Sequence, residues 1–365
     1  MRRGISWKAI GMAYLIVMAL AVSTFLLAIP ELFAQTQKPA ATPKQAASLE
    51  AQLYQAALKE KELNWWDQNS LEEAGAFMTE FNKRYPGIKI NYFEGTQDVI
   101  TERYLSESKA GRATADTIQP EPYRPLQEQG LLLDISDIIK DANYPPQFCT
   151  KELTGATLTH GVFGVGYNTR LIPAKDLPQS WEALLDPKWK GKINVERRLK
   201  TFVYGTEHWG EQWVVNYLKK LREQKPTFSK GHTQVATLLS VGEFSIAIGH
   251  HLHRTLLMEA EGAPVGFLPL KPAMHNAGSP HSIPKTAPHP NAAKLFYRWW
   301  MSPEGQAVND KVRMRGSPLP GTGTAQAKFL EKHGVPVFSC TMWAIENSDR
   351  LEQIYAEAIG LKKAK

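Results

Sequence analysis

Between Leu63 and Phe93 the chain reads strand, helix, strand, and that order limits the fold more than any other feature. Leu63 to Trp66 is a short apolar run. Leu71, Ala74, Phe77, Met78 and Phe81 then recur at the spacing of one helix face. Ser70 is placed to cap that helix, with Glu72 and Glu73 in the first turn, where the helix dipole favours acidic groups. Pro86-Gly87 stops it, and residues 88–93 alternate apolar and polar as a strand does. Two strands joined through a helix predict a βαβ unit and a parallel sheet covered by helices.

The alternation continues along the chain. Helices are expected over 99–110 and 123–129, with a buried strand at 115–118. Strands follow at 163–167 and 193–195, then a helix at 211–222. A helix at 235–241, a strand at 244–248 and a helix at 254–261 come next. An extended run at 265–268 is expected to carry the chain back to the first half. Helices at 291–301, 325–332 and 348–362 close the chain, the first holding Trp299 and Trp300 as core residues. The length of 365 residues suits about two domains.

Residues 167–192, YNTRLIPAKDLPQSWEALLDPKWKGK, hold no nucleophile paired with a base, no metal spacing and no glycine cradle. The run resembles the extracellular solute-binding proteins of ABC importers, in the group that includes ferric-iron- and phosphonate-binding proteins. There a similar segment follows the crossing from the first lobe to the second. Residues 285–307, KTAPHPNAAKLFYRWWMSPEGQA, resemble the return segment of the same family. The resemblance runs over about residues 62–321. It implies an α/β, two-lobe periplasmic-binding-protein-like fold of type II, each lobe a mostly parallel sheet flanked by helices, joined by a hinge. Residues 62–158 and 266–314 would form lobe 1, and residues 159–265 and 315–365 lobe 2. The implied partners are a small solute and an inner-membrane permease. The implied protein is a monomer with no resident cofactor and no nucleic-acid partner.

Arg2, Arg3 and Lys8 precede an uncharged, mostly apolar stretch at 9–30, and Ala34 offers a small residue before a cut. Residues 1–34 read as a signal peptide that delivers the protein to the periplasm; a retained membrane anchor is the alternative. Residues 35–61 read as a linker and a leading helix. The net charge of +7 comes without a basic track interleaved with aromatics, which excludes a nucleic-acid groove. The two cysteines, Cys149 and Cys340, would pair in an oxidising compartment if the fold brings them together.

Ligands in open α/β sheets bind beyond the carboxyl ends of strands. That rule selects Trp65 and Trp66, where one ring can stack on a solute while its neighbour packs inward. It also selects Thr96, in a glycine loop before a helix, and Glu121, between two prolines. From the second lobe it selects Arg197 with Arg198, and His250 with His251. Arginine suits a carboxylate or phosphonate, since it can bind such groups bidentately. His250 and His251 are candidate metal ligands or cleft donors, with His253 close by. Ferric-binding relatives carry adjacent tyrosines at the loop equivalent to His250-His251, and phenolates suit a ferric ion better than imidazoles do. The resemblance therefore favours an organic anion as cargo, such as a carboxylate or phosphonate, with a ferric ion as the alternative. No HExxH or GxSxG motif occurs, so a hydrolase finds no support.

Overall fold

The computed structural model describes residues 47–276 and 280–361. The expected leader at 1–34 lies outside the described residues, as does the linker up to residue 46. Among the described residues no helix is long and apolar enough to cross a membrane.

The described chain opens with α1 (Leu49–Glu60), β1 (Glu62–Asp67), α2 (Leu71–Arg84), β2 (Lys89–Glu94) and α3 (Gln97–Lys109). β1 and β2 are parallel, with Trp65 opposite Tyr92 and Asp67 opposite Glu94. The cap on α2 is a reciprocal one. Ser70 Oγ accepts from the Glu73 N–H at 3.2 Å, and Glu73 Oε2 accepts from the Ser70 N–H at 3.0 Å. Ser70→Ala is expected to destabilise the fold by about 1 kcal/mol, read as a lower urea midpoint at unchanged slope. The run at 115–118 makes single bridges, Thr117 beside Trp65 and Ile118 beside Ser282, rather than a strand. Asp116 explains this. Its carboxylate takes the backbone N–H of Asn64 in β1 at 2.6 Å, which a regular ladder would otherwise use, and that of His289 at the start of α10 at 2.6 Å.

The chain continues through α4 (Arg124–Glu128), α5 (Ser136–Asp141), β3 (Gly161–Asn168), β4 (Ile193–Glu196), α6 (Lys200–Trp209), α7 (Glu211–Arg222) and β5 (Thr227–Ser229). Then follow α8 (His232–Val241), β6 (Ile246–His251), α9 (Leu252–Ala260), β7 (Val265–Leu268) and β8 (Ala273–Asn276). Last come α10 (Pro290–Met301), α11 (Pro303–Arg313), α12 (Ala325–Lys332), β9 (Val337–Ser339), α13 (Met342–Glu346) and α14 (Ser348–Ile359). The second sheet has the order β5-β4-β6-β3-β8-β9, with β7 paired to β3. β4 is parallel to β5 and β6, while β3 is antiparallel to β6, β7 and β8. Antiparallel β3 makes this sheet mixed, where the sequence pattern suggested a mostly parallel one.

Two large cores mark two lobes. One gathers Trp65, Phe77, Phe81, Phe296, Trp299 and Trp300. The other gathers Val165, Trp181, Phe202, Leu218, Ile248 and Tyr355. α10 packs on α1 and α11 on α2, so the chain has returned to the first lobe by residue 290. α12 packs on α9, so it crosses again after Arg313. The run at 265–268, expected to carry the chain back, pairs instead with β3 as a strand of the second sheet. Four helices, α5, α6, α11 and α13, were not legible in the sequence. α6 begins behind Leu199, which has a left-handed backbone (φ 53°) and no polar side chain to cap with. α11 follows α10 after only Ser302, so one helical pattern hid two helices.

The hinge holds a chain of hydrogen bonds that is buried except at its Ser339 end. Tyr144 donates its hydroxyl to Thr157 O at 2.6 Å, so it must accept from His160 Nε2 at 3.1 Å. His160 Nδ1 is then an acceptor for His275 Nε2 at 3.0 Å, and His275 Nδ1 accepts from Ser339 Oγ at 3.1 Å. Both imidazoles are fixed as neutral Nε2–H tautomers. The Phe148 ring packs on both, with centroids 4.4 and 4.8 Å away.

Candidate functional site

Four segments converge near this hinge: the end of β1, the start of β3, the β6–α9 junction, and the crossing after α11. From β1 comes Asp67, 2% exposed, whose Oδ1 accepts the Asn69 N–H at 3.1 Å. His281 Nε2 stands 3.5 Å from its Oδ2. Burial alone would raise the Asp67 pKa, but His281 and Arg313 outweigh it and hold the carboxyl below its usual range. Arg313, in the last turn of α11, reaches Asn69 Oδ1 and stands 3.4 Å from Glu73 Oε2. These contacts tie the first lobe to the crossing.

The second lobe contributes the β6–α9 junction. Gly249 has φ 87° and forms a bulge: Ile248 pairs with Val165 and His250 with Gly164, leaving Gly249 unpaired. Adjacent strand residues face opposite ways. His250 turns under α8, beside Leu239 and Gly166. His251 turns to the other face, with ring centroids 4.1 Å from Phe163, 3.9 Å from His232 and 5.0 Å from His253. The strand expected at 244–248 thus extends through both histidines, which lie in β6 rather than on a loop beyond it.

Burial keeps these imidazoles uncharged. It pushes His232 down to about 3 and His250 to about 4, and holds His251 and His253 well below the usual histidine range. Neither ring nitrogen of His251 has a hydrogen-bond partner, nor has His253 Nδ1. α9 starts at this point, and its N-cap, His251, makes no side-chain cap, so the positive end of the helix is open. Arg254 lies in its first turn, with a buried Nε that has no partner. Arg315 enters from the crossing and donates its Nε to His160 O at 3.2 Å. Burial, with Arg313 and Arg254 nearby, lowers the Arg315 pKa to about 9.

The structure treats the other sequence candidates differently. Trp65 is fully buried, covered by Phe77, Tyr92, Phe296 and Trp300. Trp66 is 4% exposed, with Phe93 beside it and the Arg103 guanidinium 4.2 Å from its ring centre. Both tryptophans are core residues, because each face of β1 is covered by its own layer, and neither ring is left for stacking. Thr96 is the exposed N-cap of α3, and its hydroxyl bonds Asp98 rather than an α3 N–H. Glu121 is exposed, its N–H held by Thr101 Oγ1 at 3.0 Å. Arg197 is half-buried, and its N–H pairs with Ser229 O at 3.0 Å. Its neighbour Arg198 reaches the histidines, donating to His232 Nε2 at 2.6 Å and to Glu196 Oε1 at 2.9 Å. Of the seven candidates, His251 is the one whose two ring nitrogens both lack a partner. Arg254 and His253 stood in the same HHLHR run and were legible there. Gly161, His281 and Arg315 carried no local signal.

Among the described residues no three His, Cys, Asp or Glu side chains are arranged to hold a metal ion. A cavity of about 400 Å³ lies elsewhere between the lobes. Tyr123, Arg124 and Cys149 line one side of it, and Cys340 and Trp343 the other. Cys149 and Cys340 are not joined in a disulfide. Arg124 reaches Glu346 Oε2 across this gap at 2.9 Å.

The sequence pattern described as "bacterial extracellular solute-binding protein" matches residues 65–307. An uncharacterized protein of Haemophilus influenzae is 29% identical over 187 residues, 48% of this chain and 52% of that protein. Iron uptake protein A1 of Synechocystis is 23% identical over 247 residues, 60% of this chain and 66% of that protein. The chain thus spans between about half and two thirds of the length of these curated relatives. Among solved structures, the Trichodesmium protein FutA, described in complex with iron and citrate, superposes with a TM-score of 0.67 at 19% identity. That likeness covers 82% of this chain and 100% of that one, and it shows a shared fold.

Proposed function

We infer that this chain, which belongs to the bacterial extracellular solute-binding protein family, is the solute-capturing component of an ABC importer. It takes a small anion between its lobes in the periplasm and passes it to a membrane permease without chemical turnover. One observation carries the choice of an anion. Arg254 and Arg315 have no carboxylate partner among the described residues, and both stand beside neutral imidazoles at the open start of α9. Both are half-buried, and a cation partly withdrawn from water without a carboxylate partner is costly unless a ligand pairs with it. A closing lobe that brings Asn69 and His281 over such an anion would shut it from water.

Ferric ion is the second reading, favoured by the similarity to Iron uptake protein A1. The local donors support it less. A hard ferric ion seeks oxygen anions, and the carboxylates near this junction are already engaged, Asp67 with Asn69 and His281, Glu73 with Arg313 and Glu196 with Arg198. A thermal-shift screen over phosphonates, dicarboxylates, ferric ion and ferric citrate separates the two. A cargo at 100 times its Kd is expected to stabilise the protein by about 2.7 kcal/mol. A shift with ferric ion alone, and none with any organic anion, would replace the anion reading by the iron one.

A further inference from the structure

Arg198 commits its guanidinium to two neighbours. Its Nε donates to Glu196 Oε1 at 2.9 Å, and a terminal nitrogen donates to His232 Nε2 at 2.6 Å. Glu196, 2% exposed at the end of β4, also accepts the backbone N–H of Arg198 at 3.0 Å and of Gly231 at 3.3 Å. Carboxylate, guanidinium and imidazole therefore form a line that runs from a buried strand end to the first residue of α8.

A guanidinium has donors and no acceptor. His232 Nε2 must therefore accept, and the hydrogen of the neutral ring sits on Nδ1. The ring is neutral because burial, with Arg198 beside it, pushes its pKa down to about 3. His232 Nδ1 is shut off from water and has no partner. A buried donor left unspent costs free energy until something accepts from it. The ring beside it is His251, with centroids 3.9 Å apart and planes at 80°. His251 is 6% exposed, and neither of its nitrogens has a partner. Turning the His251 ring out of this edge-to-face contact lets one of its nitrogens accept from His232 Nδ1–H. The hydrogen of His251 must then sit on its other nitrogen, since the bond made by one nitrogen of a neutral histidine decides the state of the other.

Resting on the reading of this protein as an anion carrier, we propose that Arg198 and Glu196 are positioning residues for capture. They fix His232 as an Nδ1–H donor, His232 orients His251, and His251 donates its own hydrogen to an oxygen of the cargo. Arg198 does not touch the cargo; it acts through His232.

The first test reads the tautomer with no ligand added. In a long-range nitrogen–proton spectrum of isotopically labelled protein at neutral pH, His232 is expected to show a hydrogen-bearing Nδ1 and a bare Nε2. The spectrum of His232→Asn identifies the signal. Arg198→Met should let hydrogen move to Nε2, whereas Arg198→Lys, which can also only donate, should not. A wild-type His232 with its hydrogen on Nε2 overturns the proposal and leaves the anion reading standing. The second test measures binding of methylphosphonate and of succinate by titration calorimetry. Arg198→Met and His232→Gln are each expected to weaken binding about tenfold, the loss of one hydrogen bond. His232→Asn should recover most of what His232→Gln loses, because its amide nitrogen takes the place of Nδ1 while that of Gln takes the place of Nε2. In the His232→Asn background there is no tautomer left to fix, so Arg198→Met should cost far less than in the wild type. An equal loss in both backgrounds makes Arg198 a charge acting on the cargo itself and overturns the proposal. Melting curves of the unliganded variants check that each folds. A response to ferric ion alone, or none to methylphosphonate, succinate, ferric ion or ferric citrate, overturns the anion reading and the proposal with it.

Discussion

Moving the protein from about pH 7 to about pH 5 is expected to remove roughly 7 kcal/mol of folding stability. The cause is four histidines that are at most 6% exposed: His160, His250, His251 and His275. Burial pushes His275 down to about 3, His250 to about 4, and the other two well below the usual range. In the unfolded chain each titrates near pH 6.5. Their folded pKa values are depressed, so the stability they allow is complete above about pH 6.5. It is lost as pH falls towards 4, because the unfolded chain takes up protons that the folded one refuses. In the hinge the refusal is geometric as well. A proton on His160 Nδ1 would face the Nε2–H of His275, two donors at one contact of 3.0 Å. A loss of this size is comparable to the whole stability of an ordinary domain. Urea denaturation across this range should show the midpoint falling steeply below pH 6.5. A flat profile down to pH 5 would show that these imidazoles do not stay neutral and buried.

Trp300→Ala is expected to cost about 3–5 kcal/mol. Trp300 is fully buried, with Phe77 at 4.7 Å, Phe296 at 5.6 Å, Trp65 at 5.6 Å and His281 at 5.1 Å between ring centres. Most of these neighbours sit on β1, α2 and α10, which hold each other in place and cannot collapse into an indole-sized void without breaking other contacts. Leu71→Ala, at a side chain 64% exposed on the same α2 helix, should change stability by no more than about 0.5 kcal/mol. Equal losses at the two sites, read from denaturation midpoints, would contradict the placement of the first core.

Much of the architecture was legible in local pattern. The βαβ opening from β1 to β2 followed from apolar spacing, the Ser70 cap and Pro86-Gly87. The resemblance at residues 167–192 and 285–307 pointed to a fold with two lobes. Local pattern failed where tertiary contacts decide the outcome. Adjacent tryptophans on β1 looked like one core residue and one stacking platform, but covering layers on both faces took both inward. The pair His250-His251 looked like two donors to one ligand. The Gly249 bulge and the alternation of β6 sent the rings to opposite faces. Arg315 was invisible because its partner groups lie 155 residues away at His160, joined only by the crossings between lobes.

The most direct measurement is a crystal structure of the protein soaked with methylphosphonate. Density for a bound anion is expected at the β6–α9 junction, in contact with Arg315 and Arg254, with the Asn69 and His281 side of the first lobe closed above it. Density instead in the cavity beside Cys149 and Trp343, with none at the β6–α9 junction, would contradict capture at the junction described here.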